Sequence, residues 1–376
     1  MSTALFVGTA GFGDPDPHTV LKLRLNHADG ALSAGGEATK TAGANPGWVC
    51  VPPGMGVAFV GMEDEAGSIQ PYSIGKDDPS ALAPLGGPQS SVGRHPCSLA
   101  IDASRRWLLC ANYSSGSVSV LPVGEDGTLG PATDSKAHQG SELLDPALAD
   151  RQEMAHCHCV LPNPVHGKWV AVCDLGLSAV FVYELDAQRG ALLGAADNPR
   201  HLRLAAGAGC RHCIWSADGG RLFVNNELDC TITVAAFDGV TGRLTVTHTV
   251  DSLPAGVPGI RAHHRGNSDI HVHPNGKFLY VGIRSPDPGL IGVFAIGDDG
   301  SLTAVQHEST RGLVPRNFKL IPTGAGGGGG AVWLVAGNQE SKSVVSFKVD
   351  NESGKLSHAS TLETSPFKAC NISYVV

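Results

Sequence analysis

The stretch HCIWSADGGRLFVNNELDCTITVAAF, residues His212–Phe237, contains three short apolar strands separated by turn residues. The strands read HCIWS, RLFVNN and TITVAAF, and the segments ADGG and ELDC lie between them. A turn and a weaker strand with the sequence TGRL follow. Short apolar runs bounded by Gly, Asp and Ser are typical of β-strands. The stretch therefore predicts a unit of four antiparallel strands.

The same pattern occurs seven times along the chain, at a mean spacing of about 54 residues. The first strands of the seven units read WVCVP (Trp48–Pro52), SLAID (Ser98–Asp102), HCVLP (His158–Pro162), HCIWS (His212–Ser216), IHVHP (Ile270–Pro274), FKLIP (Phe318–Pro322) and ISYVV (Ile372–Val376). A repeated unit of four strands is the signature of a β-propeller. We therefore predict an all-β fold, a seven-bladed β-propeller of four-stranded antiparallel blades.

The two ends of the chain supply complementary parts of one blade. Ala4–Thr9 (ALFVGT) resembles a second strand that has no first strand before it, whereas Ile372–Val376 is a first strand that has no second strand after it. Pairing these two segments would leave no open sheet edge. The sequence thus predicts one propeller domain over residues 1–376, with the ring closed by the C-terminal strand joining the N-terminal blade.

The composition favours strands and tight turns, and it argues against several classes of partner. The chain has 49 Gly and 24 Pro among 376 residues, and only 16% of its residues are charged. No apolar run approaches the length of about 18 residues that a membrane span needs. A net charge of −8 argues against binding of nucleic acid or anionic membranes. Met1–Gly11 lacks the basic region of a secretory signal, and several of the ten cysteines lie inside apolar strands. We therefore expect a cytoplasmic protein.

Polar residues occupy the two places in the repeat that meet at one rim of a propeller. In an antiparallel blade, the start of the inner strand lies beside the end of the second strand. The inner-strand starts carry His156, His158, Arg211, His212, Asp269 and Arg316. The second-strand ends carry Asn112, Asp174, Asn226, Glu227, Arg284, Asn338 and Gln339. We expect these side chains to converge at the mouth of the central channel and to form the functional site.

Two arginines, a glutamate and a histidine of this set suit a small anionic ligand. The guanidinium forks of Arg211 and Arg284 match a carboxylate or phosphate group. The structural alternative is that these arginines form ion pairs with Glu227 or Asp269. His158 has the chemistry of a general acid or base.

The patterns HCHC (His156–Cys159) and CRHC (Cys210–Cys213) have the appearance of zinc ligands. In a regular strand, residues i and i+2 share a face, so the two histidines of HCHC should lie on one face and its two cysteines on the other. A metal site could still form from the side chains on one face of this strand together with Cys or His side chains of a neighbouring blade. We favour packing of Cys159 and Cys213 in the sheets, and we predict neither metal nor cofactor. Four further histidines are expected to be structural or exposed: His263, His264, His271 and His273.

Eight longer stretches occur in an order that is specific enough to indicate a family. They are CANYSSGSVSVLPVGEDGTL (Cys110–Leu129), HQGSE (His138–Glu142), RQEMAHCHCV (Arg151–Val160), GAGCRHCIWSADGGRLFVNNELDCTITV (Gly207–Val234), SDIHVHPNGKFLYVGIRS (Ser268–Ser285), DDGSLTAV (Asp298–Val305), VPRNF (Val314–Phe318) and AGNQES (Ala336–Ser341). In these residues the chain resembles the lactonase family of seven-bladed propellers. That family includes bacterial-type 6-phosphogluconolactonases and fungal carboxymuconate-lactonising enzymes.

The resemblance implies hydrolysis of a sugar lactone without a cofactor, with 6-phosphogluconolactone of the pentose phosphate pathway as the leading substrate. It also implies a set of catalytic residues: His158, Arg211, Glu227 and Arg284. Further contacts with the substrate are expected from Arg316, Arg151, Asp269, Gln339 and His156. Whether His158 or Glu227 is the general base is left open.

Departures from the family pattern keep other functions open. Ala155, Cys159 and Cys210 stand where the family usually has Pro, Ser and Pro. A muconate-type lactonising cycloisomerase would use the same groups without water. A non-enzymatic propeller that binds a protein partner is a third interpretation, because propellers host many functions. We expect a small anionic lactone or carboxylic acid as the substrate, no nucleic acid or membrane partner, and a monomer or weak homo-oligomer.

Overall fold

The computed structural model describes residues 1–9, 18–141, 146–194, 201–257, 266–285, 287–324 and 330–376. Glu142 of the HQGSE stretch, His263 and His264 lie outside these residues. In the part of the chain that is described, nearly all regular structure is β-strand, as the repeat predicted. None of the helices in this part has the length and apolar character needed to cross a membrane.

The strands of the first three sheets follow the predicted spacing. The N-terminal strands are β1 (Ser2–Thr9), β2 (Thr19–Asn26), β3 (Leu32–Ala34) and β4 (Thr39–Lys40). The second sheet contains β5 (Trp48–Cys50), β6 (Val57–Met62), β7 (Ser68–Ile74), β8 (Leu82–Pro84) and β9 (Gln89–Ser90). The third sheet contains β10 (Pro96–Ile101), β11 (Trp107–Asn112), β12 (Ser117–Pro122) and β13 (Asp134–Ala137).

The remaining sheets repeat this plan after a short helical segment. That segment comprises a 3₁₀ helix (Pro146–Leu148) and α1 (Ala149–Gln152). The fourth sheet contains β14 (Cys157–Pro162), β15 (Trp169–Asp174), β16 (Ala179–Asp186), β17 (Ala191–Leu193) and β18 (Leu202–Arg203). The fifth contains β19 (Cys210–Trp215), β20 (Arg221–Asn226), β21 (Thr231–Asp238) and β22 (Arg243–Asp251). The last strands are β23 (Asn267–Val272), β24 (Phe278–Ile283), β25 (Leu290–Ile296), β26 (Leu302–Ser309), β27 (Pro315–Pro322), β28 (Val332–Asn338), β29 (Ser343–Val349), β30 (Leu356–Glu363) and β31 (Ala369–Tyr374).

Each sheet is a meander in which strands adjacent in sequence pair with one another. One blade combines strands from the two ends of the sequence, as predicted. In it, β31 pairs with β1 and places Ile372 opposite Val7. In three sheets the fourth strand is interrupted, so that β3 and β4, β8 and β9, or β17 and β18 pair with the same third strand. The fold is therefore the predicted seven-bladed β-propeller, and its C-terminal strand joins the N-terminal blade.

One extra residue interrupts the pairing near the start of several inner strands. In β14 the extra residue is His158, and in β19 it is Arg211. The same position holds Cys97 in β10, Arg316 in β27 and Cys370 in β31. A β-bulge of this kind bends the strand and changes the direction of the side chain that it inserts.

The described chain forms two compact units. The first contains residues 1–60, 72–83 and 268–376, and the second contains residues 61–71 and 84–267. Buried residues in the core of the first unit include Leu5, Leu25, Ile321, Trp333 and Phe347. Buried residues in the core of the second unit include Trp107, Val172, Phe181, Trp215 and Val224. The single domain over residues 1–376 stays a prediction.

Glycines in the outer hairpins pack against aromatic rings of a neighbouring sheet. Gly190 has a φ of +64°, and an added Cβ would overlap the ring of Trp107. The same contact occurs between Gly242 and Trp169, between Gly30 and Trp333, and between Gly354 and Phe278. The positive φ and the close ring both require the absence of a Cβ at these positions.

We expect Gly190→Ala to lower the free energy of unfolding by about 3 kcal/mol, because the new Cβ must displace Trp107 as well as strain the backbone. The control is Gly207→Ala, where φ is +78° and no atom lies within 4 Å of an added Cβ. This control should lower the free energy of unfolding by only about 1 kcal/mol. Urea denaturation followed by tryptophan fluorescence measures both changes. Equal losses in the two variants would show that the ring contact adds nothing.

Candidate active site

The candidate site in the second unit is built at the starts of two inner strands. His158 and Arg211 occupy the bulge positions of β14 and β19. Glu227 follows β20 directly, and its backbone N–H donates to the carbonyl oxygen of Gly209 at 2.8 Å. All three predicted side chains are buried. The register of the sheets thus brings Glu227 beside the strand that carries Arg211.

The carboxylate of Glu227 lies between two buried guanidinium groups. Nη2 of Arg151 donates to Oε1 at 2.8 Å, and Nε of Arg211 lies 2.9 Å from Oε2. The side chains of Arg151, Arg211 and Glu227 are only 6%, 3% and 2% exposed. Two guanidinium charges therefore face one carboxylate charge, and this cluster carries an excess positive charge.

Arg151 reaches Glu227 from α1, in the long segment between β13 and β14. Its Nε donates to the hydroxyl of Tyr113 at 3.1 Å, and the next residue, Gln152, anchors α1 by donating to the carbonyl oxygen of Leu175 at 3.1 Å. Burial is the largest single influence and lowers the pKa of Arg151, but Glu227 and Tyr113 together outweigh burial and the pKa is raised. Among the described residues, Nη1 of this charged side chain has no hydrogen-bond partner. A buried guanidinium N–H group that lacks a protein acceptor indicates a binding point for an anion.

Aromatic contacts fix His158 in β14 and His156, which directly precedes β14. The ring of Tyr113 stacks on His156 with the centroids 4.4 Å apart, and it meets His158 edge-on at 5.3 Å. Both ring nitrogens of His156 have protein partners at 3.1 Å, namely the carbonyl oxygen of Tyr113 and the carboxylate of Glu153. His158 also meets the ring of His212 at 5.2 Å. His156 is therefore held within the protein, next to the bulge that carries His158.

Tyr113 and Cys97 are neighbours of the candidate site that the sequence analysis did not single out. Tyr113 follows β11 directly, and burial raises the pKa of its phenol. Sγ of Cys97 lies 3.9 Å from Nδ1 of His158. The repeat aligned Ser98 with His158, whereas in the structure Cys97 holds in β10 the bulge position that His158 holds in β14.

Four other predicted site residues lie in the first unit. Arg284 follows β24 directly and is buried, whereas Arg316 and Gln339 are half-buried. The carboxylate of Asp269 accepts a hydrogen bond from the side-chain amide of Asn317. The roles of these four residues in binding or catalysis stay predictions.

The bulge at His158 overturns the expected alternation in HCHC. Cys157 packs in a cluster with residues of β11 and β12, whereas Cys159 packs in a different cluster with residues of β19. The expectation that both cysteines share one face was wrong, because the bulge adds one residue to the count along the strand. Cys157 lies instead beside His138 and Asp174, and these three side chains could hold a metal ion.

A family model described as a seven-bladed β-propeller lactonase matches residues 4–370 of the chain. The chain belongs to this lactonase family. The match confirms the resemblance that the motifs indicated, and it spans both compact units. As a member of this family the protein is an enzyme of the lactone-hydrolase class, which cleaves cyclic carboxylic esters.

The relatives of this lactonase cover between 71% and 100% of the chain. A 6-phosphogluconolactonase of Bacillus subtilis is 29% identical over 367 residues, which are 97% of this chain and 96% of the relative. A 6-phosphogluconolactonase of Pectobacterium carotovorum is 30% identical over 268 residues, 71% of each chain. The structure of a periplasmic gluconolactonase of Pseudomonas aeruginosa is similar with a TM-score of 0.85 and 27% identity, covering 100% of this chain and 99% of that one.

We expect Glu227→Gln in this lactonase to lower the free energy of unfolding by about 3–5 kcal/mol, because two buried guanidinium groups lose their carboxylate. The control is Glu184→Gln, which breaks a more exposed pair with Lys168 at 3.3 Å. This control should change the stability by less than about 1 kcal/mol. Urea denaturation of both variants gives the comparison. If Glu227→Gln is no more destabilising than the control, the buried ion cluster does not stabilise the fold.

Proposed function

We propose that the protein hydrolyses 6-phosphogluconolactone to 6-phosphogluconate by general acid–base catalysis. The observation that carries this proposal is the buried cluster of Arg151, Glu227 and Arg211 with its excess positive charge. Guanidinium groups bind phosphate and carboxylate through paired, charge-assisted hydrogen bonds. Membership of the lactonase family supports lactone hydrolysis, and the charge of the cluster favours a lactone that carries an anionic group.

We assign the role of general base to His158. Both carboxylate oxygens of Glu227 already face a guanidinium group, so Glu227 acts as a positioning residue for Arg151 and Arg211. An imidazole can both accept and donate a proton, as this reaction requires of one residue, and His158 supplies an imidazole at the site. Arg284 is a further proposed catalytic cation. The other proposed substrate contacts are Arg316, Asp269, Gln339 and His156.

In the proposed reaction, His158 takes a proton from water while the water oxygen bonds to the carbonyl carbon of the lactone. The negative charge that develops on the carbonyl oxygen is stabilised by the guanidinium groups. The bond between the carbonyl carbon and the ring oxygen then breaks. The protonated His158 returns its proton to the ring oxygen, which leaves as a hydroxyl group. The new carboxylic acid releases its own proton to solvent.

We place this reaction in the cytoplasm and expect a monomer or weak homo-oligomer. All ten cysteines lie in the described part of the chain, none of them forms a disulfide there, and nine are buried, which is typical of proteins from reducing compartments. Light scattering during size-exclusion chromatography measures the oligomeric state. Fractionation of the source cells measures the compartment, and recovery with periplasmic markers would contradict the proposal.

The experiment that tests the proposed substrate compares 6-phosphogluconolactone with unphosphorylated gluconolactone, after subtraction of spontaneous hydrolysis. We expect kcat/KM to be larger for the phosphorylated lactone by roughly 10–100-fold, since a hydrogen bond to a charged group contributes about 1.5–3 kcal/mol. Equal or faster turnover of gluconolactone would overturn the proposal that the substrate is phosphorylated. Turnover of neither lactone would overturn sugar-lactone hydrolysis and would lead next to an assay for muconate cycloisomerisation.

We expect Arg151→Met to lower kcat/KM for 6-phosphogluconolactone by roughly 10–100-fold, because the buried donor that faces the anion is lost. The loss of kcat/KM for gluconolactone should be smaller. Arg189→Met is the control, since the Arg189 side chain is 81% exposed, and it should leave both rates unchanged. Steady-state kinetics with both lactones separates the outcomes. An equal loss for the two lactones would contradict a role for Arg151 in binding the phosphate.

We expect His158→Gln to lower kcat by roughly 10²–10⁴-fold, because the general base is lost while a side chain of similar size remains. His358→Gln changes an exposed histidine of β30 and should leave kcat unchanged. Circular dichroism verifies that both variants fold. A folded His158→Gln variant that retains wild-type kcat would exclude His158 as the base.

A further inference from the structure

Three side chains with the chemistry of metal ligands meet in the second unit. His138 follows β13 directly, Cys157 begins β14 and Asp174 ends β15. One donor atom from each lies within 4.8 Å of the other two, and all three residues are buried. Among the residues that the structure describes, no other group of three or more His, Cys, Asp or Glu side chains has this arrangement.

The distances between the donor atoms are close to those of a zinc site. Sγ of Cys157 lies 3.2 Å from Nδ1 of His138 and 3.6 Å from Oδ2 of Asp174. Donor atoms around a tetrahedral zinc ion lie about 3.2 to 3.7 Å apart, as follows from its bond lengths of about 2.0 to 2.3 Å. The third distance, from Nδ1 to Oδ2, is 2.6 Å and is a hydrogen bond. It must lengthen when an ion replaces the shared proton.

The charges of the three groups fit a divalent cation. The donor set consists of the thiol of Cys157, the carboxylate of Asp174 and the imidazole of His138. A thiolate and a carboxylate together balance two positive charges, and a neutral imidazole completes a donor set of S, N and O that zinc accepts. Nδ1 of His138 carries at most one proton, so it cannot donate to both of its neighbours.

We propose that His138, Cys157 and Asp174 bind a buried Zn²⁺ ion. On binding, the bond between sulfur and hydrogen in Cys157 breaks, a bond between zinc and sulfur forms, and this proton passes to solvent. The proton between Nδ1 of His138 and Oδ2 of Asp174 also leaves, and Nε2 of His138 takes up a proton beside the Tyr183 hydroxyl, so that the imidazole stays neutral. No oxidation state changes.

Contacts around the three ligands hold them in place. The other ring nitrogen of His138, Nε2, lies 2.9 Å from the hydroxyl of Tyr183, and the His138 ring stacks on Phe181 at 3.8 Å. Oδ1 of Asp174 accepts hydrogen bonds from the backbone N–H groups of His156 and Leu177, at 2.8 and 3.0 Å. A partner on the second nitrogen of a ligating histidine and hydrogen bonds to a ligating carboxylate are regular features of metal sites.

The proposed ion has a structural role and does not depend on the proposed reaction. His138 begins the segment that leads to α1, and α1 carries Arg151. Cys157 and Asp174 belong to the paired strands β14 and β15. The ion would fasten the start of this segment to the sheet, as structural zinc sites do.

The test uses cobalt as a spectroscopic substitute for zinc. The full-length protein is unfolded in urea with a chelator, refolded with Co²⁺ or Zn²⁺ and dialysed, because the buried site needs the ion during folding. We expect one ion per chain by mass spectrometry of the metal, and an absorption band from charge transfer between thiolate and cobalt. Folded wild-type protein that lacks the band and retains no zinc would overturn the proposal and leave a hydrogen-bonded cluster.

Two matched cysteine variants identify the ligand. Cys157→Ser should remove the cobalt band and lower zinc affinity by at least about 100-fold. Cys110→Ser removes another fully buried thiol of the same unit. This variant should change neither the cobalt band nor the zinc affinity. A cobalt band that persists in Cys157→Ser would overturn the assignment. If Cys157→Ser fails to fold, Tyr183→Phe keeps all the ligands and should lower zinc affinity by about 10–100-fold. Unchanged affinity in that variant would count against the site.

Discussion

The extra residue near the start of an inner strand is the constraint on which the chemistry of the second unit depends. In an uninterrupted strand, side chains alternate between two faces, and both faces of an inner strand pack against neighbouring sheets. The bulges in β14 and β19 release His158 and Arg211 from this alternation. The same bulge separates Cys157 from Cys159, so that Cys157 lies beside His138 and Asp174. One local irregularity therefore shapes both the candidate active site and the proposed zinc site.

The ion cluster around Glu227 is better explained by binding than by stability. Burying three charges costs free energy, and apolar side chains of similar volume often stabilise a fold as well or better. The cluster also holds more positive than negative charge, which a purely structural ion pair does not need. An anionic substrate would neutralise the remaining positive charge of the cluster. This connects the burial of Arg151 and Arg211 to the class of lactone that we propose.

The repeat made the fold and part of the candidate site predictable. A regular spacing of apolar strands predicts the sheets, and aligning the units places His158, Arg211 and Glu227 at equivalent ends of strands. The contact between Arg151 and Glu227 was not predictable in this way, because α1 lies in an insertion that has no counterpart in the described parts of the other repeat units. The environment of Cys157 was mispredicted because alternation assumes an uninterrupted strand, and the sequence does not mark a bulge.

The contacts between hairpin glycines and aromatic rings give the chain a direction in which it can assemble on the ribosome. Gly190 docks on Trp107 and Gly242 on Trp169, and in each pair the aromatic residue is synthesised first. These hairpins can be covered as soon as they emerge. Gly30 is different, because its partner, Trp333, is synthesised about three hundred residues later. The hairpin that carries Gly30 must therefore wait with this contact surface uncovered until Trp333 has been translated.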